Sequence, residues 1–442
     1  MNRTRIAVVG FAAVLALLAA GLAGATTSSH AKGSHVSALK GTITFDGIWT
    51  STSGQKQFQD VINLFNKTYP NVQVKYKPVG DNLPTVLATA IAGGKPPDMA
   101  DIAQPGTVAQ FAKQGKLKSI AYARSTIAAN FAPAWLSLGT YSGKLYALPF
   151  KAANKSIVWY NVPAFKNAGV KAPKTFAQLL ADAKTIKSSG TPAYSIGGAD
   201  GWTLTDMFEN IYLRTFGAAK YNALGAHKIK WTDPSVKTAL TTMAKIIGDT
   251  GNIAGGTSGA LQYGFNDSVT NAFASPPKAA MVFEADFVGG VITSSTKAKA
   301  NTGFNTFTWP SITPGPDAGA VEIAGDLFVA FHDTPAIEAF VKFLATAPAA
   351  EAWAKQGGFG TGNKNVPASI YPDAITRTNE APISTAKSVV FDMSDEQPPS
   401  FGATASQGEW GLFQDFLKTP SDVAGIQKKL EAAAAAAYKK GK

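Results

Sequence analysis

Residues 141–161 constrain this chain more than any other stretch. They read Tyr-Ser-Gly-Lys-Leu-Tyr-Ala-Leu-Pro-Phe, then Lys-Ala-Ala-Asn-Lys-Ser, then Ile-Val-Trp-Tyr-Asn. Ser142-Gly143 is a turn pair. The short apolar, aromatic runs 145–150 and 157–160 read as strands, and Asn161-Val162-Pro163 stops the second. A polar connector, residues 151–155, separates them. Two buried strands joined by an uncovered polar link fit a chain that leaves one packed body and enters another. A loop inside one domain has the same spacing. With 442 residues the chain has material for two bodies.

The order of elements before this stretch sets the fold class. Residues 42–45 read as a strand ending in Asp46-Gly47-Ile48-Trp49, and 50–54 as a polar turn. Residues 55–69 carry Phe58, Val61, Ile62, Leu64 and Phe65 at helical spacing. Val72, Val74 and Tyr76 alternate as a strand, 83–91 is a helix closed by Gly93-Gly94, and 96–102 returns to a strand. This β-α-β-α-β order predicts a mostly parallel sheet with right-handed crossovers. Ligands of such sheets bind beyond the carboxyl ends of the strands, which singles out 49–54 and 101–106.

Later segments repeat the pattern. An amphipathic helix over 173–188 presents Phe176, Leu179, Leu180, Ala183 and Ile186 on one face. Asp233-Pro234 caps another, and Thr334-Pro335 a third. Residues 248–259 are glycine-rich but lack the Lys-Ser/Thr ending of a phosphate loop. An alanine-rich helix over 422–440 closes the chain.

The N-terminus carries an address. Arg3 and Arg5 precede an uncharged run, 6–22, and Ala23-Gly24-Ala25 supplies small residues in an A-x-A arrangement. This is the order of a secretory signal peptide, and the run is shorter than the ~20 residues of a spanning helix. The expected division is a signal peptide over 1–25 and a flexible leader over 26–40, with Ala31 as a second cleavage point. His30 and His35 lie in that leader without a third ligand nearby, so no metal site is expected there.

Composition removes several functions. No cysteine is present, which excludes disulfides, thiolate metal sites and a cysteine nucleophile. The net charge of +12 comes from scattered lysines without a basic stripe, so no nucleic-acid partner is expected. Past the leader only His227 and His332 remain for Ser-His-Asp chemistry. Glu284 and Asp286 would share a face of an extended segment, and a glycosidase needs two carboxyls roughly 5–9 Å apart. Two acids at one strand end are more often a polar rim.

Two motifs carry a resemblance. Gly143-Lys144-Leu145-Tyr146-Ala147-Leu148-Pro149 followed by Tyr160-Asn161 resembles the first crossover of the family 1 extracellular solute-binding proteins, the sugar-binding components of ABC importers. Lys278-Ala279-Ala280-Met281 with Glu284-Ala285-Asp286-Phe287 is similar to the family's Gly-Lys-Ala-Ala-Met and Gly-Asp-Trp pattern, with Phe287 in place of the tryptophan. The passage 93–98 resembles its glycine-plus-Pro-Asp signature. Many members are lipoproteins held by a cysteine after Leu-Ala-Gly. Here Leu22-Ala23-Gly24 is followed by Ala25, so the expected mature protein is exported, soluble and unanchored.

The resemblance implies an α/β, two-lobed periplasmic binding protein fold of type II, each lobe a mostly parallel sheet flanked by helices, joined by a multi-strand hinge. Lobe 1 is expected over 41–150 and 311–358, and lobe 2 over 151–310 and 359–442. Crossovers are expected near 150–154, 310–314 and 357–365. It implies a non-enzyme that holds a carbohydrate in an interlobe cleft, without cofactor or metal, and as a monomer delivers it to ABC transporter permease subunits. The expected ligand-binding residues are Trp49, Asp101, Gln104, Asn154, Trp202, Asp286, Phe287 and Trp410. Flat aromatics would cover the sugar's apolar faces and polar side chains its hydroxyls. Two other readings stay open: a secreted carbohydrate-active enzyme, and a binder of an anionic solute such as a glycerophosphodiester, motivated by the lysine surplus.

Overall fold

A computed structural model describes residues 38–312 and 319–441. The signal peptide, most of the leader and part of the expected 310–314 crossover lie outside them. The chain opens with three strands, β1 (Lys40–Gly47), β2 (Asn71–Pro78) and β3 (Met99–Ile102). β1 pairs in parallel with both others. The connections are helices Thr52–Asn66 and Leu83–Ala92. The first starts inside the segment expected as a polar turn, because the Ser51 hydroxyl accepts from the Gly54 amide and caps it there. Its buried face is Phe58, Val61, Ile62 and Phe65.

A small hairpin of β4 (Thr140–Tyr141) and β5 (Lys144–Leu145) turns at Ser142-Gly143, where both residues have positive φ. The long β6 (Ala147–Asn154) then enters the first sheet. The chain changes sheets at Lys155-Ser156. β7 (Ile157–Asn161) is the centre of a second sheet between β8 (Met281–Val282) and β9 (Phe304–Thr308). These ladders run antiparallel, and among the described residues parallel pairing around this sheet consists of isolated bridges, such as those from Tyr194 to Ile253 and Met281 and from Ala300 to Phe304. Short strands flanked by long helices leave room for little more. β10 (Val321–Ala330) returns to the first sheet, antiparallel to β3 and β6, and β11 (Val389–Phe391) pairs with it in parallel.

Buried side chains form separate cores. Around the first sheet pack Phe45, Phe58, Phe150, Phe328, Phe340 and Trp353. Around the second lie two clusters, one centred on Phe208, Trp231, Leu240 and Phe413, the other on Trp159, Val269 and Ile292. Within and beyond the expected 357–365 crossover, Phe359, Tyr371, Ile383 and Phe391 pack in the first core, while Ile375, Val390 and Met393 join the second side. Gly360 bridges Ala152 of β6, which holds that segment against the first sheet.

The longest helix, Trp202–Gly225, is buried almost all round through Arg214, including Asp206, Glu209, Asn210 and Arg214 itself. A helix enclosed on every side has no polar face, so hydrophobic periodicity does not announce it. Gly217, at φ 78, breaks its helical geometry.

Candidate ligand-binding cleft

A cavity of about 760 Å³ lies between the two sheets. Its first wall is built from loops at the carboxyl ends of parallel strands. Trp49 follows β1, Asp81 follows β2 and Gln104 follows β3, and all three line it. The rule for parallel sheets therefore holds for three adjacent strands. The opposite wall carries Trp202 at the start of its long helix, Phe287 beyond β8, and Trp410 in helix Gly408–Lys418. Lys151 of β6, Asp326 of β10 and Lys155 form the floor.

Of the residues expected from sequence, Trp49, Gln104, Trp202, Phe287 and Trp410 thus meet at one cavity. Asp101, Asn154 and Asp286 do not line it. Asp101 is fully buried within β3 opposite Phe328. Burial first, then the nearby Asp326, pushes its carboxyl well up, towards the neutral form. The Asn154 side chain donates to the Asn379 carbonyl at 2.7 Å, and its backbone amide donates to Asp286 at 2.8 Å. Both residues join the segments behind the floor. Glu284 does not line the cavity either; it is buried against Asp206.

Sequence reading missed Asp81, Lys151, Lys155, Asp326, Asp392 and Asp395, which all line the cavity. Asp81 was within reach of the strand-end rule that selects Trp49 and Gln104. The others depend on how β6, β10 and the chain after β11 come together at the floor.

Charge at the floor is largely paired. Trp49 Nε1 donates to Asp326 Oδ2 at 3.2 Å, and Lys151 Nζ lies 3.7 Å from the same oxygen. Lys151 Nζ also stands 5.1 Å from the ring centroid of Phe287 and 5.9 Å from that of Trp353. Lys155 Nζ donates to Asp206 at 2.9 Å, contacts Asp392, and lies 5.4 Å from the Trp202 ring centroid. Burial alone would lower the Lys155 pKa, but Asp206 and Asp392 with further acids behind them raise it well above the ordinary value. Asp206, Glu322 and Asp392 bring carboxylate oxygens within 4.8 Å of one another, a spacing that could hold a cation. Lys155 already binds two of these three.

The chain matches the family described as bacterial extracellular solute-binding protein over residues 49–351. It is 32% identical, over 88% of its length and 87% of the relative's, to the alpha-glucosides-binding periplasmic protein AglE of Rhizobium meliloti. It is 29% identical, over 82% of its length and 86% of the relative's, to the osmoprotective compounds-binding protein GgtB of Synechocystis sp.. Among solved structures, the solute receptor AcbH, described as preferring β-D-galactopyranose, superposes with a TM-score of 0.77 at 21% identity, covering 89% of this chain and 98% of that one. A likeness at that identity speaks for the two-lobed fold, and no helix of the described residues is long and apolar enough to cross a membrane. By sequence and fold together, this chain belongs to the bacterial extracellular solute-binding protein family.

Proposed function

We propose that this protein captures a neutral carbohydrate in the cleft between its lobes and delivers it to the permease of an ABC transporter. The carrying observation is the cavity lining, in which Trp202, Phe287 and Trp49 stand beside aspartates and an amide. Rings cover the C–H faces of a pyranose without needing a polar partner, and carboxylates accept from its hydroxyls. The names of the relatives, which include a binder of alpha-glucosides, favour the same class.

The cavity disfavours an anionic solute. Its lining holds Asp81, Asp200, Asp267, Asp326, Asp392 and Asp395 against only Lys151 and Lys155. The lysine surplus of the whole chain therefore does not reach the site. An enzymatic reading loses its sequence candidate, because neither Glu284 nor Asp286 lines the cavity. His332 pairs with Asp98 and His227 with Glu431, and neither histidine lines it.

Export as a processed, unanchored monomer, beginning at Thr26 or Lys32 and without a nucleic-acid partner, completes the reading. We place the lobe boundary at Lys155-Ser156 and between β9 and β10, with a third passage within 375–393, where buried side chains alternate between the two cores. The test is a thermal-shift screen with D-glucose, D-galactose, maltose, sucrose, trehalose and raffinose, followed by recovery of the sugar. Binding raises the melting temperature. A binder returns the sugar intact; a chemically altered sugar, or no response across the panel, refutes this function.

A further inference from the structure

We propose that Lys151 and Asp326 form a donor–acceptor pair that grips two neighbouring hydroxyls of a neutral sugar ring, and so read its configuration. This deepens the carbohydrate reading and rests on it. The two residues are direct partners across β6 and β10. One step further along, the register shifts: Leu327 pairs with Pro149, so β6 spends two residues where β10 spends one.

That irregularity decides where Asp326 points. Before it, Val321 and Ile323 face the first core, and the even positions Ala324 and Asp326 face the cleft. After it the parity reverses. Phe328 and Ala330 face the same core, and Leu327 and Val329 join a smaller cluster on the other side. Without the shift, one alternation would run through the whole strand and place Asp326 on the side of Phe328. On β6 no reversal occurs: Leu148, Phe150 and Ala152 face the core, and Lys151 and Ala153 face the cleft. The local break in pairing brings a carboxylate beside an ammonium at the cavity floor.

The pair keeps hydrogen-bonding capacity. At 3.7 Å, Lys151 and Asp326 are wider apart than a hydrogen bond. Two aromatic rings flank the ammonium, which steadies its charge but supplies no oxygen acceptors. Asp326 accepts from Trp49 Nε1, which orients it from the core side. Trp353 and Trp49 meet at 4.5 Å, so both supports belong to one packed unit. A hydroxyl can accept from the ammonium while its neighbour donates to the carboxylate. A carboxylate or an ammonium on the ligand would satisfy one member of the pair and repel the other.

The test is isothermal titration of the mature protein with the tightest binder among the six sugars named above and with its monodeoxy derivatives. Wild type is compared with Lys151→Met and Asp326→Asn. In wild type, removal of either of two adjacent hydroxyls is expected to weaken binding about ten- to a hundredfold. In Lys151→Met the penalty for one of them is expected to shrink to about threefold or less, as for contacting groups in a double-mutant cycle. Asp326→Asn is expected to do the same for its neighbour. Should Lys151→Met fail to fold, Lys151→Gln enters the same cycle. Equal deoxy penalties in wild type and variants, or no adjacent pair of sensitive hydroxyls in wild type, overturn the proposal. No binding of any of the six sugars overturns the carbohydrate reading itself.

Discussion

Trp202 and Asp81 meet across the mouth of the cleft, the indole Nε1 donating to the carboxylate Oδ2 at 3.3 Å. Asp81 follows a strand of the first sheet, and Trp202 opens the long helix of the opposite wall. The bond therefore exists only while the walls are close together. Separation of the two walls would break it, with or without a sugar in the cleft.

The environment of Asp81 is expected to make binding pH-dependent. Partial withdrawal from bulk water at the cleft mouth, then the like charge of Asp200, push the Asp81 carboxyl up to about 6, while the Trp202 bond acts the other way. An acid whose pKa is raised in the closed form favours that form when protonated. Closure is helped below about pH 4, the ordinary carboxylate value, and the help is lost as pH rises through about 6. Asp81 lies at the exposed rim, so solvent screening keeps the effect to a few-fold in affinity. Titration calorimetry across this range is expected to show tighter binding in acid, and Asp81→Asn is expected to remove that part of the dependence. An unchanged pH profile in the variant contradicts this account.

The aromatic walls divide into two kinds. Trp202 is half-buried, whereas Trp410 is 2% exposed, with its Cβ against Gly201. Trp202→Ala is expected to weaken sugar binding about five- to a hundredfold, on the scale of base–aromatic stacking, with little change in the ligand-free melting temperature. Trp410→Ala is expected to lose about 3–5 kcal/mol of stability as well. Denaturant unfolding of both apo proteins separates the two.

Lys155 is expected to contribute strongly to stability. Its ammonium holds Asp206 and Asp392, all three buried. Lys155→Met leaves these carboxylates without their counter-ion, at a cost of about 3–5 kcal/mol. Adding Asp206→Asn and Asp392→Asn to Lys155→Met is expected to restore part of that loss in urea unfolding, because it removes the uncompensated charges.

Gly201 lets the chain before Trp202 pass close against Trp410. Its φ is +83, and a Cβ there would stand 2.8 Å from the Trp410 Cβ. Gly201→Ala is expected to cost about 1 kcal/mol or more from backbone strain and to displace Trp410 besides. Both a lower melting temperature and weaker sugar binding are expected; normal binding would mean that the wall tolerates the shift.

Closure itself is measurable. Rotation of the lobes about a few linking segments should make the protein more compact on binding a saturating sugar. Small-angle scattering is expected to record a smaller radius of gyration. A radius that does not respond counts against hinge closure.

Sequence alone determined the alternation of strands and helices, several caps, and the first strand-end loops. Asp233 caps its helix through Ser235, and Thr334 caps Pro335–Leu344 through Ile337, because capping needs only residues a few positions apart. Trp49 and Gln104 were legible for a similar reason: a parallel sheet sends its ligand loops to one edge wherever the sheet lies. Trp202, Phe287 and Trp410 were legible through motif order, which says which loops face a cleft.

Tertiary structure decided the rest. Asp101, Asn154 and Asp286 are as polar as any ligand contact, yet they lie behind the wall, because side-chain direction depends on pairing to distant strands. Lys151 and Asp326 lie 175 residues apart in the chain, and a one-residue slip in the β6–β10 register places both at the cleft floor. The helix from Trp202 escaped notice because burial on every side erased its periodicity. Local spacing reports what a segment becomes; which groups meet across a sheet or a cleft is settled only when the segments pack, since register and burial are properties of the pair.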